Sequence, residues 1–423
     1  MGEIPRAHHA LGNRSIHPTL GLGYHYLAMA QNKKEKIAIV GGSAAGIYLA
    51  IFLMKKHPDF EVTILEKNDK LGKKLLATGN GHCNLLNKGM CADAYNDPEF
   101  MAKAIKEYPP ARLLDELESL GVRTLEMGDL VYPLSYSASA YLRFLIGLLA
   151  SLNVKVSLGV RVDSYEAKEK VVLHTGEGRL TYDRVYFAVG GKSQPNLGSD
   201  GSLFDEFKRH GYEVAPLRPA LCPIKTKEPT KSISGLRHKA YVLLRENGKE
   251  IHGEKGEILF KDDGLSGIAV FNCQSYIARM KEQGKYEIDV DLFPEMPADS
   301  LCEDMVLSAK ENPAFYLDAY LEKPLKEYCL KRAGFAGKTP QNRCEIAKLV
   351  AILKDLRFEF DASYPFSASQ VTTGGVSIKE IDENMLSRKE AGVGFVGECL
   401  DIDDLCGGYN LGWALLSALL AAR

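Results

Sequence analysis

Several features that would classify this sequence quickly are missing. Its 53 Lys and Arg face 55 Asp and Glu, a formal charge of −2, which excludes a generally basic protein held on nucleic acid by its whole surface. None of its nine cysteines stands in CxxC spacing with another. That gives neither a zinc ribbon nor a disulfide framework, and reduced thiols in a cytosolic enzyme fit better. No uninterrupted apolar run approaches the ~18–20 residues of a bilayer span. The richest stretches, 142–152 and 411–422, carry Arg143, Gly147 or Gly412 and read as buried helices. There is no internal repeat and no expected metal site. A soluble, cytoplasmic protein without membrane attachment is therefore expected.

What is present is ordinary in bulk: 423 residues, 45% apolar and 26% charged, enough for two or three domains at roughly 100–200 residues each. Residues 1–33 lack periodicity and hold four of the ten histidines. The stretch Leu20–Ala30 is interrupted by Gly21, Gly23 and His25, so it is a poor signal-peptide core. A disordered leader is expected there, with Met29 a plausible native-like start.

From Lys36 the pattern becomes regular. A β-branched run, Lys36–Val40, leads into Gly41-Gly42-Ser43-Ala44-Ala45-Gly46, an apolar helix to Lys56, and a second strand ending in Glu66. This is the order of a dinucleotide-binding βαβ unit, in which glycines let a pyrophosphate approach the amides of a helix N-terminus. Ser43 replaces the middle glycine, but the small residues beside it keep the turn slim. Glu66, 25 positions beyond Gly41, can accept hydrogen bonds from both adenosine ribose hydroxyls.

Runs at 154–158, 171–174 and 184–189 read as further strands. Short alternating strands then fill 219–260, with Asn247-Gly248 a hairpin signal. Residues 299–357 read as helices, where Ile346, Leu349, Val350 and Leu353 form one apolar face. Glycine-rich turns return in Thr372–Val376 and Gly397-Glu398, before a last helix from Asn410. A nucleotide-binding domain is thus expected in two pieces, 34–217 and 365–423. Between them lies an inserted domain, 218–364, with a β-barrel at 218–298 and a helical part at 299–357.

Two more segments carry chemistry. The loop at 72–84, GKKLLATGNGHCN, is rich in available amides. At 397–414, GECLDIDDLCGGYNLGWA, a Gly-Gly turn enters a helix whose dipole would favour an electron-rich ring. Both also read as plain loops when taken alone.

Taken in order with AVGGKSQPNLGSDG at 188–201, GEILFKDDGLSG at 256–267 and TTGGV at 372–376, these segments make residues 35–423 resemble the HI0933-like flavoprotein family. The family includes aminoacetone-oxidase-type and bile-acid-reductase-type FAD proteins. The resemblance implies an α/β fold, a Rossmann-like FAD-binding domain interrupted by an antiparallel β-barrel with a helical subdomain. It implies FAD contacts from Gly41, Ser43, Ala45, Gly46, Glu66 and Lys67 on the adenosine-diphosphate side, with Val162 meeting the adenine and Gly190 close by. Lys74, Thr78, Gly79, Asn80, Gly81 and Asn84 approach the middle and ring. Gly397, Glu398, Asp401, Gly408, Tyr409, Asn410 and Leu411 close over the ribityl chain and ring. His82, Lys261 and Ile268 stand where relatives often carry Arg, Thr and Pro, departures that can retune the substrate face.

The activity implied is a flavin-dependent oxidoreduction in which NAD(P)H reduces FAD and hydride passes to a conjugated C=C or C=N acceptor, with Tyr409 and Cys83 as candidate proton donors. NAD(P)H is expected from the family alone, since no second dinucleotide fingerprint is present. Two alternatives stay open. One is a uridine reductase forming dihydrouridine in ribosomal RNA; the other is a non-catalytic FAD-containing, RNA-associated protein. Residues 323–357 hold nine basic and three acidic residues, a cluster that can contact RNA or can be the solvated face of helices. A disulfide between Cys399 and Cys406 is weighed and disfavoured. The oligomeric state is not legible.

Overall fold

The computed structural model describes residues 34–280 and 284–423, so the expected leader lies outside the described residues. The first core is built on a five-stranded parallel sheet. Strand β1 (Lys36–Val40) lies between Arg184–Phe187 and β2 (Glu61–Glu66), with Val393–Phe395 and Lys155–Leu158 at the edges. Nearly continuous Ile, Val and Phe runs suit strands buried on both faces. Helix α1 (Ala44–Lys56) is buried along most of its length against the equally apolar terminal helix, Tyr409–Ala421. The terminal segment thus returns some 350 residues later to complete the first domain.

Strands Val214–Ala220 and Val371–Val376 pair antiparallel and form the bridge out of this domain and back. Beyond it, six strands close a barrel in the order Ile224–Thr226, Gly264–Ser266, Lys249–Lys261, Arg237–Glu246, Tyr286–Asp291, Leu356–Ser363. A second core fills it, with Val242, Leu244, Ile258, Phe260, Ile288 and Phe358 fully buried. The Asn247-Gly248 hairpin joins its two longest strands, both residues in the left-handed region. Helix Arg343–Lys354 starts at Asn342, whose side chain accepts the Glu345 N–H, and buries the four residues its periodicity marks.

The barrel's extent differs from the sequence reading. Leu356–Ser363 is a strand that closes it after the helices, pairing with Tyr286–Asp291 and Ile224–Thr226. A helix, Ile268–Arg279, also sits within the barrel segment. The alternation Leu356-Arg-Phe-Glu-Phe is a period-2 signal that follows the helix after one residue, so the helical pattern masks it.

Candidate functional site

The turn after β1 is fixed by close approaches. A Cβ on Gly41, whose φ is +109°, would lie 2.4 Å from the Ala188 carbonyl oxygen; one on Gly46 would lie 2.0 Å from that of Gly41. Ser43 has φ −105° and starts α1 without using its hydroxyl as a cap. A side chain therefore costs nothing at that position, and the first-turn amides stay available to an anion. Glu66, at the end of β2, is 6% exposed. It accepts the Gly42 N–H at 2.7 Å through one oxygen, and the Asn68 N–H and side-chain amide at 2.8 and 2.7 Å through the other. The carboxylate is locked beneath the turn, with about one acceptor site to spare.

The 72–84 segment is a short helix, Lys73–Ala77, followed by a tight loop in which Gly79, Asn80, Gly81 and Cys83 are all left-handed. Lys74 Nζ reaches 2.5 Å to Glu398, which also accepts the Thr372 N–H at 2.9 Å. Gly408 begins the terminal helix at φ +93°, where a Cβ would meet the Leu86 backbone at 2.7 Å and Asn84 Oδ1 at 2.8 Å. These segments surround a cavity of about 820 Å³, in the upper range for cofactor and small-molecule sites (~300–1,000 Å³). Two buried polar atoms on cavity-lining residues, Asn84 Oδ1 and Ser199 Oγ, have no hydrogen-bond partner. An orphaned acceptor and hydroxyl beside glycine turns fit a bound dinucleotide that supplies their partners.

The cavity wall includes Gly41, Ser43, Ala45, Glu66 and Lys67 at the first turn, then Lys74, Thr78, Gly79, Asn80 and Asn84 in the second segment. Val162, Gly190, Glu398, Gly408, Asn410 and Leu411 complete the predicted residues that it gathers. Six others are not on that wall, each for a local reason. Gly46 serves the close packing of α1. Gly397 packs toward Ala45 and donates its N–H to Ser417. Gly81 is a backbone bend of its loop. Asp401 accepts from Asn96, and burial followed by the neighbouring Asp403 charge raises its pKa to about 6. Cys83 is wholly buried, which pushes its thiol up to about 11. Tyr409 stands edge-on to Tyr95 and accepts that residue's hydroxyl through its carbonyl; burial raises its phenol.

Behind the 401–408 loop, Asp403 is held by Arg279 at 3.1 Å and by Thr373 at 2.8 Å. Asp404 Oδ2 is buried without a partner, and burial lifts that carboxyl to about 8. All nine cysteines are free thiols; Cys399 and Cys406 are unpaired.

The barrel supplies the rest of the wall. Ile268 is 63% exposed at the start of its helix, and Phe271, Leu259, Ser266, Arg237 and Glu257 also face the cavity. Tyr132, Tyr136 and His82 join them, His82 stacked on Tyr136 with ring centres 4.0 Å apart. Sequence reasoning singled out only Ile268 and His82 in this group. Alternation along Arg237–Glu246 and Lys249–Lys261 is visible in the sequence, but which face looks on the cavity is set by barrel closure. Lys261, the third departure, lies against Tyr364 and off this wall.

Comparison with known proteins agrees with this layout. The sequence model of the HI0933-like protein Rossmann domain matches residues 35–423. A 3-dehydro-bile acid delta(4,6)-reductase of Clostridium scindens is 34% identical over 402 residues, covering 92% of this chain and 98% of the relative. A ribosomal RNA dihydrouridine synthase of Escherichia coli is 26% identical over 402 residues, covering 91% and 96%. Among solved structures, a 3-ketosteroid delta1-dehydrogenase from Sterolibacterium denitrificans shares the fold at 10% identity and a TM-score of 0.50, covering 92% of this chain and 99% of its own. With a closed barrel set into a Rossmann-type domain and a family match over the whole folded region, the chain belongs to the HI0933-like family of FAD-dependent oxidoreductases.

Proposed function

We propose that this protein is an NAD(P)H-linked FAD enzyme that reduces a conjugated C=C bond in a small, largely apolar acceptor. The observation that carries this reading is the continuity of one cavity from the β1 turn to an exposed apolar barrel wall at Ile268, Phe271 and Leu259. The 34% identical bile-acid reductase supports it. Bound FAD supplies the two-electron step. The α1 N-terminus and Ser43 would hold the pyrophosphate, Glu66 the ribose, and the Lys74–Glu398 pair with Asn84 the middle and ring. The apolar barrel wall orients the acceptor and excludes water. Its proton is delivered by a group at the wall. We assign this role to Tyr132 rather than Tyr409 or Cys83, because its residue lines the cavity and its phenol, raised by burial, is a proton-bearing donor.

Uridine in ribosomal RNA is the second reading, favoured by the 26% identical synthases. The 323–357 cluster lends it less than its composition promised. Lys326, Arg343, Lys354 and Arg357 pair with Asp318, Glu303, Asp291 and Asp289 from other parts of the fold. Single-turnover reactions under anaerobic conditions separate the two. Protein reduced by NADH or NADPH is mixed with a 4-ene-3-keto steroid acid or with ribosomal RNA, and products are weighed by mass spectrometry. A two-hydrogen gain in the steroid is expected; a gain only in RNA uridine would replace this reading with the second.

A further inference from the structure

The barrel wall of the cavity carries a polar row. Arg237 lies opposite Leu259, and Leu259 opposite Ser266, across three adjacent strands. Residues directly opposite in antiparallel strands share a face, and all three line the cavity. The row therefore reads guanidinium, apolar side chain, hydroxyl, with its ends about 10 Å apart at two strand spacings. Ser266 is 7% exposed, and its hydroxyl has no hydrogen-bond partner among the described residues. Gly267 follows as the cap of helix Ile268–Arg279, whose first turn holds no acidic residue and no side-chain cap.

Charge distribution points the same way. The other Lys and Arg residues on the cavity wall are Lys67, Lys73 and Lys74, paired with Asp200, Asp69 and Glu398, and Arg161, whose pair with Asp163 is about as exposed as that of Arg237. All four sit on the Rossmann side. Arg237 is the basic residue of the barrel side. Its one ionic partner among the described residues is Glu257, and that pair is largely exposed, at 63% and 50%. Such a pair contributes little, so an incoming anion competes for the guanidinium at small cost. Among the described residues the remaining N–H groups of Arg237 have no partner, which leaves the fork able to take a carboxylate.

We infer that Arg237 and Ser266 are specificity-determining residues that select an acceptor with an apolar body and an anionic carboxylate end. Leu259, Ile268 and Phe271 cover the body, the guanidinium takes the carboxylate, and Glu257 tempers the affinity by repulsion. This rests on the enone-reductase reading and extends it from a reaction type to a substrate charge.

The test is equilibrium binding to the FAD-loaded protein, followed by perturbation of the flavin absorbance. The probes are a 4-ene-3-keto steroid carboxylic acid and its methyl ester. Wild-type protein binds the acid roughly tenfold or more tightly than the ester, the scale of one charge-assisted contact. Arg237→Gln abolishes that preference by weakening the acid alone, Arg237→Lys restores part of it, and Glu257→Gln strengthens the acid alone. Ser266→Ala weakens acid and ester by the same, smaller factor, because its hydroxyl lies two strand spacings from the guanidinium. Equal binding of acid and ester by the wild type, or equal weakening of both by Arg237→Gln, would overturn the inference while leaving the enone reading intact. No binding of either probe would overturn both.

Discussion

The two sides of the cavity solve different problems with different residues. On the Rossmann side, Lys67 and Lys74 are paired within the fold, glycines stand where a Cβ would strike backbone, and the unpartnered polar atoms of Asn84 and Ser199 are buried. That is a surface built for one fixed ligand whose shape never varies. On the barrel side, Ile268 is left open and Arg237 is only loosely paired. That surface is inexpensive to alter. The difference shows why a family can keep its cofactor and change its acceptor: substitutions on one wall disturb backbone contacts, while those on the other disturb exposed side chains.

The largest effect is expected from breaking the Rossmann side. Gly46→Val places its Cβ within 2.0 Å of a backbone carbonyl, and backbone cannot yield as a side chain can. A loss of at least ~3 kcal/mol is expected, seen as flavin-free or insoluble protein. Lys74→Met comes next. It leaves the cavity-lining Glu398 carboxylate without its ammonium partner, and FAD affinity should fall about 10- to 100-fold by fluorescence titration.

The buried acids of the 401–408 loop give a pH test. Asp401 and Asp404 have folded pKa values raised to about 6 and about 8, above ~3.9 in the unfolded chain. Between those values the folded apoprotein binds more protons than the unfolded chain, so stability falls as pH rises from about 4 to 8 and then levels. Asp404→Asn keeps a carbonyl acceptor for the Leu405 N–H and should flatten the upper part of the curve. At pH 9 the apoprotein variant should exceed the wild type by a few kcal/mol in urea unfolding; a steeper curve would oppose this assignment.

The barrel side should respond more gently. Ile268→Ser removes an exposed apolar side chain and should change stability by no more than ~0.5 kcal/mol. Flavin content should stay constant while the KM for an enone acceptor rises several-fold. The smallest effect is expected at Tyr409→Phe: its ring lies off the cavity wall, so turnover should change less than about twofold, whereas Tyr132→Phe should slow it more.

The same contrast decides what could be read from the sequence. The β1 turn is marked by glycine where the backbone is left-handed and by Glu66 at the end of the next strand, whereas the 72–84 loop and the Gly407-Gly408 turn gain meaning only in order with the other segments. Asp401 reads as an available carboxylate in a glycine-rich loop, and only the fold brings Asn96 to it. Cys83 is wholly buried and Tyr409 stands edge-on to Tyr95, orientations that position in a motif does not state. Arg237, Leu259 and Ser266 are separated by up to 29 positions and become a row only when three strands take their register. The closing strand at Leu356–Ser363 was hidden in the same way, as alternation appended to a helix.

The most direct measurement is an anaerobic visible spectrum of the FAD-loaded protein before and after adding NADH or NADPH, and again after adding a conjugated steroid enone. Bleaching of the flavin bands by a nicotinamide, followed by their return on enone addition, is the expected result. Flavin that stays oxidised with both nucleotides, or that bleaches but does not recover with the enone, would contradict the assignment of this protein as an NAD(P)H-linked enone reductase.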